Sequence, residues 1–177
     1  MFRSEKSDLP DFMPPASIRL SPDIQLEAFG KDAARLMGEK MAAMEPWRTL
    51  TIGARNLTAI LLRKVPYAAS LHVTLYGRSA GAMVIRHPWL FGPYLEVLAI
   101  LPEFQNRGLG SRLLLWLEEG IAVNHGNVWV AASAFNRQAV AFYEKNGFER
   151  VALLRGLVRP EHDEILFRKR LIKNGQQ

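Results

Sequence analysis

The stretch Leu98-Ala-Ile-Leu-Pro-Glu-Phe-Gln-Asn-Arg-Gly-Leu-Gly-Ser-Arg-Leu113 decides how the chain is read. Tyr94 to Leu101 are apolar except for Glu96, as in a buried central strand, and Pro102 ends the run. The turn Gly108-Leu-Gly110 then opens a helix whose core face carries Leu113, Leu114, Leu117 and Ile121. The first turn of a helix has free N–H groups and the positive end of its dipole. Glycines there let a ligand approach the backbone, so such a turn suits phosphate or pyrophosphate. Arg107 and Arg112 add charge that could steer the anion. Two nucleotide readings fail. A P-loop ends in G-K-[ST], whereas Gly110 is followed by Ser111-Arg112, and a dinucleotide fingerprint needs a third glycine where Leu113 stands.

Outward from this stretch, Asn127 to Ala134 form an apolar strand, and Asn136 caps a helix that is closed by Asn146-Gly147. Glu149 to Leu154 and Glu164 to Leu171 read as two last strands. Upstream, Ile18 and Leu20 flank Arg19 in a short strand ended by Ser21-Pro22. Helical spacing runs from Asp32 to Met44, stopped by Pro46, and again from Ala54 to Lys64. Ala69 to Tyr76 alternate as a strand, Gly81 to Ile85 form another, and Arg86 to Pro93 read as a connection. Residues 1–16 read as a loose arm, 17–172 as one domain and 173–177 as a tail.

The composition excludes much else. The 177 residues suit a single domain, and 49% apolar with 23% charged residues is an ordinary globular balance. With no cysteine, there is no disulfide, thiolate metal site or sulfur nucleophile. His72, His87, His125 and His162 lie far apart, read as surface or loop residues, and offer no metal-ligand spacing. The net charge of +6 attracts anions without choosing among them. No nucleic-acid recognition motif appears. The N-terminus lacks the apolar segment of a signal peptide, and no run approaches the roughly 20 residues of a membrane span. A soluble cytoplasmic protein without nucleic-acid or membrane partner is the expectation.

Two motifs carry a resemblance. Gln105-x-x-Gly108-x-Gly110 after a strand and a proline resembles the Q/R-x-x-G-x-G/A motif of the GNAT superfamily of acyl-CoA-dependent N-acyltransferases. Asn136-Arg-Gln-Ala139-Val-Ala-Phe142-Tyr143-Glu-Lys-Asn-Gly147-Phe148 is similar to its N-x-x-A-x-x-F-Y-x-x-x-G-F segment. The resemblance implies an α/β fold with a mixed sheet of about six to seven strands. Two N-terminal helices, a helix after the cofactor-binding turn and a C-terminal helix would pack on that sheet. It also implies acetyl-CoA as co-substrate, with no metal. Its pyrophosphate would sit on the amides of Gln105, Asn106, Arg107, Gly108, Leu109, Gly110 and Ser111. Its pantetheine arm would pair with Leu98, Ala99 and Ile100 like an added strand and touch Asn136 and Tyr143. The strand Val128–Ala132 would splay away to leave a slot.

The implied activity is transfer of the acetyl group to a primary amine by direct attack in a ternary complex. The amine must lose a proton, and the departing thiolate must gain one. Tyr143 stands at the family position of that proton donor. Glu96, the only ionisable residue in its strand after Tyr94, is the candidate general base and by alternation shares a face with Leu98 and Ile100. Glu45 could contribute from the acceptor side. The resemblance implies acceptor walls at Glu45–Thr49, at the His87–Phe91 hairpin and at Arg155–His162. There Trp47, Trp89 and Phe91 could line the site, and Arg155 and Arg159 could read a carboxylate or phosphate. Arg168, Lys169 and Arg170 read as an exposed strand face. The acceptor is a small-molecule or a peptide amine. Homodimers are common in the family, but no segment specifies one. A module that binds acyl-CoA without turnover is the alternative.

Overall fold

The computed structural model describes residues 17–121 and 125–171. The arm expected over 1–16, the tail over 173–177 and the side chain of Ile121 lie outside the described residues. The elements are β1 (Ser17–Arg19), β2 (Ile24–Ala28), α1 (Lys31–Ala42), α2 (Ala54–Leu62), β3 (Ala68–Leu75), β4 (Arg78–Trp89) and β5 (Gly92–Ile100). They continue as α3 (Leu109–Trp116), which widens into a π turn at Leu117–Ile121, then β6 (Asn127–Ser133), α4 (Arg137–Lys145), β7 (Glu149–Arg159) and β8 (His162–Arg170). The strands form one sheet in the order β1-β2-β3-β4-β5-β6-β8-β7. Every pair is antiparallel except β5–β6.

The α/β class is the expected one, with eight strands where about six to seven are expected. The additional strand is β2. Ser21 Oγ donates to Asp23 Oδ1 at 2.7 Å, and the chain turns back so that Ile24 and Leu26 are buried. Nor are Arg86 to Pro93 a loose connection. β4 runs on to Trp89, and the hairpin turns tightly at Leu90 and Phe91, both at positive φ. In β3, His72 and Thr74 are buried along with their apolar neighbours because the strand is interior and covered on both faces. His72 bonds Ser79 Oγ at 2.9 Å and His87 bonds His125 at 2.9 Å, so neither of these two histidines is the surface residue expected.

Register and pleat assign the helices to faces. Ser70 Oγ donates to the Ile60 carbonyl, placing α2 on the face of Ser70. Ser70 and Ala68 pair with Val84 and Arg86, so Arg86 is on that face too. α4 lies on the other side. Tyr143 packs on Phe167 of β8 with ring centroids 5.8 Å apart, and Phe167 pairs with Val130. An alanine at Gly110 of α3 would put its Cβ 3.0 Å from the Phe142 ring, so α3 shares that side.

Two irregularities open the sheet at its centre. First, β5 and β6 pair only at Tyr94/Trp129 and Leu95/Val130, after which they diverge. Second, β5 carries a bulge. Ile85 pairs with Leu95 but Val84 pairs with Val97, leaving Glu96 as the extra residue.

Candidate active site

The divergence of β5 and β6 opens a cavity of about 840 Å³ through the sheet. On the α3/α4 side it is lined by Gln105, Asn106, Gly108, Leu109, Gly110, Ser111, Asn136 and Tyr143, and along its length by Leu98, Ala99 and Ile100. All of these are residues expected at a cofactor site. Arg107 is exposed and is not part of the lining.

The turn that opens α3 is shaped by its backbone. Asn106 and Gly108 have φ of 58° and 76°, the left-handed region that only glycine adopts without strain. The amide of Arg112 closes the first helical bond onto the Gly108 carbonyl at 3.1 Å. The amides before it therefore have no partner within the helix, and the residues of this turn other than Arg107 line the cavity. Gln105 braces this turn: its Nε2 donates to the Ile100 carbonyl at 2.8 Å and its Oε1 accepts from Gln138 at 3.2 Å. Asn136 Oδ1 accepts from the Ala139 amide at 3.2 Å, as an N-cap does. Arg112 is not part of that lining. It pairs with Asp23 at 2.9 Å and donates to Ser21 Oγ at 2.7 Å, latching α3 to the β1–β2 hairpin and holding the Asp23 carboxyl far below the usual range.

Tyr143 is buried between Phe142, Phe148 and Phe167, with centroids 5.2, 5.5 and 5.8 Å away, and it lines the cavity. Burial drives its phenol well above the usual value, reinforced by Tyr94 nearby. It is therefore neutral at any physiological pH and has a proton to give.

Glu96 stands on the opposite side. Leu98 and Ile100 pair with Met83 and Gly81, whereas Glu96 bonds Arg86, which has the opposite parity in β4. The bulge thus breaks the alternation and puts Glu96 on the α2 face, away from Leu98 and Ile100. Arg63 Nη2 donates to Oε2 at 2.5 Å, Arg86 Nε to Oε2 at 2.6 Å and Arg86 Nη2 to Oε1 at 3.1 Å. Burial raises this carboxyl, but the bonds from Arg86 and Arg63 outweigh it and the net shift is downward. A carboxylate held ionised in this way is a weak proton acceptor.

The α2-side walls come from distant segments. Trp47, Leu50 and Ile52 line the cavity together with Leu157 and Val158. Arg159 Nε donates to the Leu50 carbonyl at 2.8 Å and its Nη2 to Thr51 Oγ1 at 3.1 Å, so Arg159 ties the β7–β8 hairpin to the loop after α1. That is its place, where sequence offered it as an anion reader. Glu45 also lines the cavity but is paired with Arg48 at 2.6 Å, and hydrogen bonds from Thr49 and Arg48 lower its pKa. Trp89 and Phe91 are not in the lining. Trp89 packs on Tyr94 and Trp129, and Phe91 is exposed at the hairpin tip. Arg168 stacks over Trp129 at 5.7 Å and Lys169 pairs with Glu118 at 2.7 Å, so these two are not a bare solvated face.

One residue in the lining escapes the sequence reading. Glu164, at the start of β8, is buried, and Ser133 Oγ donates to its Oε1 at 2.7 Å. Burial raises its carboxyl, partly opposed by Ser133 and His162. Its only sequence signal is one acid ahead of an apolar strand. The pairing of Ser133 with Glu164 spans 31 residues and has no local signature.

Residues 67–150 match the model of the acetyltransferase (GNAT) domain. Over that segment the chain carries a GNAT acetyltransferase domain. An S-(2-succino)cysteine N-acetyltransferase of Bacillus subtilis is 27% identical over 70% of this chain and 82% of its own length. Among solved structures, an acetyltransferase from Thermus thermophilus is 18% identical, covers 84% of this chain and 97% of its own, and has a TM-score of 0.67. A ribosomal L7/L12 α-N-protein acetyltransferase in complex with coenzyme A is 15% identical, covers 89% and 99%, and has a TM-score of 0.65. At these identities the likeness to solved structures is one of fold. As a GNAT acyltransferase the chain is an enzyme of acyl transfer. Among the described residues no cluster of three metal-binding side chains occurs, and no helix is long and apolar enough to cross a membrane.

Proposed function

We propose that the protein transfers an acetyl group from acetyl-CoA to a primary amine by direct attack in a ternary complex. The observation that carries this reading is the cavity through the sheet. It joins the Gly108 turn, the unpaired edge of β5 and Tyr143 on one side to an apolar opening on the other. In this reading the amides of Asn106 to Ser111 hold the pyrophosphate. The backbone of Leu98 to Ile100, which has no partner in β6, pairs with the pantetheine arm, and Asn136 flanks that arm. Tyr143 gives its proton to the departing sulfur and regains one from the acidic nitrogen of the adduct, and the second transfer drives the first. Glu96 is anionic throughout, and Arg63 and Arg86 occupy it.

The acceptor fits best as a small amine with an apolar body. Trp47, Leu50, Ile52, Leu157 and Val158 give apolar walls, and the Arg159 tie bridges the two segments that a polypeptide would have to pass between. The Bacillus relative's name, which specifies a substituted cysteine as acceptor, supports the same class. The test is release of free CoA from acetyl-CoA across a panel of S-alkylcysteines, polyamines and peptide N-termini. S-alkylcysteines should lead. If the protein binds acetyl-CoA but no amine raises CoA release above hydrolysis, it is a binding module without turnover.

A further inference from the structure

Three carboxylates line the cavity on the acceptor side, and their surroundings set them apart: Glu45 is paired with Arg48. Glu96 is clamped by two guanidiniums. Glu164 has no cationic partner nearer than 4.0 Å among the described residues, and the neutral hydroxyl of Ser133 donates the hydrogen bond that holds it. Register sets where Glu164 stands. Tyr94 pairs with Trp129, and Ser133, on the same face of β6, pairs with Glu164. Glu164 therefore shares the face of Tyr94 and Arg86, the acceptor side, where β5 and β6 have parted.

We propose that Glu164, positioned by Ser133, is the general base that takes the proton from the acceptor's ammonium. The inference rests on the acetyltransfer reading above. The ammonium gives one proton to Glu164, which passes it to solvent. The free amine attacks the acetyl carbonyl, the C–N bond forms and the C–S bond breaks. Tyr143 supplies the proton to sulfur and regains one from the nitrogen, which has still to lose its second proton. The sum is an amide, a free thiol and one proton released.

The facing groups agree with this role. Tyr94 on β5 is neutral, its phenol raised by burial and then by the charges of Glu96 and Glu164. Ser133 is the facing residue of β6, and Leu154 of β7 is apolar. Among the described residues, His162 on β8 is the one cation-forming group acting on the carboxyl. From the loop after α1, Glu45 and Arg48 neutralise each other. Tyr143 of α4 is neutral. A carboxylate so placed has its affinity for a proton raised toward the working pH, where a general base is most effective.

The experiment compares wild type with Glu164→Gln and Ser133→Ala, using S-methylcysteine and S-benzylcysteine as probes. The wild-type kcat/KM should fall on the acid side with an apparent pKa above the ordinary glutamate range. Glu164→Gln should lower kcat/KM by on the order of 10²–10³-fold and abolish that limb, while the Kd for CoA changes less than about twofold. Ser133→Ala removes a bond that favours the ionised form, so its limb should move to higher pH. A Glu164→Gln enzyme within about threefold of wild type, with the acid limb intact, overturns the proposal. If wild type turns over neither probe, the acetyltransfer reading is the part in trouble, and Glu164 is then judged by NMR of its side-chain carboxyl carbon. A titration above the usual glutamate range, lost in Glu164→Gln, upholds the poised carboxyl; one at or below that range overturns the proposal.

Discussion

The two ends of the cavity are built in different ways. The cofactor end is nearly all backbone and local: one run from Leu98 to Ser111, one helix from Asn136 to Tyr143, and side chains such as Gln105 and Asn136 that brace the main chain. The acceptor end is side chains from four separate segments, and most of their charges cancel in pairs. Glu45 meets Arg48, and Glu96 meets Arg63 and Arg86. A backbone recess recognises one invariant group and tolerates drift in side chains. A wall of paired side chains can be changed one segment at a time. On the proposed function, the chain thus separates the site of the shared co-substrate from the site of the acceptor.

That contrast can be broken from either end. The largest effect is expected from Tyr143→Phe, which removes one hydroxyl from a buried, well-packed ring. Steady-state kinetics should show kcat lowered by about 10²–10³-fold with CoA affinity within about twofold. An equal loss in CoA affinity would mean that Tyr143 only shapes the slot. Next is Glu96→Gln, which leaves two part-buried guanidiniums short of a charge. Chemical denaturation should show a loss on the order of 2 kcal/mol at neutral pH. The folded carboxyl is depressed, so its contribution is present above the ordinary glutamate value and lost as pH falls through the lower folded value. The gap between wild type and Glu96→Gln should therefore narrow below about pH 4.

Gly108→Ala is a smaller perturbation confined to the cofactor end. Nothing lies within 4 Å of the new Cβ, so the cost is the left-handed φ alone, about 1 kcal/mol of stability by chemical denaturation. Smallest is Arg159→Ala at the acceptor end. Cutting the tie to Leu50 and Thr51 should raise the acceptor KM about threefold and leave CoA binding alone. If Arg159→Ala instead weakened CoA binding, the two ends would not be independent.

The same contrast explains what the sequence discloses. The Gly108 turn, the Asn136 cap and Tyr143 are readable because each is a local pattern with a local physical cause. The splay of β5 from β6 follows from the family likeness, and the register bears it out. The β2 strand escapes because Ile24 and Leu26 give too short an alternation, and the turn before them is closed by backbone bonds between Leu20, Ser21 and Ile24 with one side-chain bond from Ser21 to Asp23. Arg112 and Arg159 mislead for a common reason. An arginine reads alike whether it waits for an anion or is already committed to Asp23 or Leu50, and those partners lie 89 and 109 residues away. Glu164 is invisible for the same reason, and the bulge at Glu96 defeats strict alternation.

The bulge has a consequence for how this chain can vary. With Glu96 unpaired, β5 carries one more residue than β4 between Leu95 and Val97. The placing of Glu96 on the α2 face is thus tied to a residue count as well as to its own side chain. Point substitutions along β5 can change what lines the gap, but they leave the count alone. Deleting Glu96 would return the strand to even step with β4, with Val97 still opposite Val84, and would leave Arg63 and Arg86 without the carboxylate they share. The site is tolerant of exchange and intolerant of a one-residue indel, so length between Tyr94 and Ile100 is the quantity that variation has to keep.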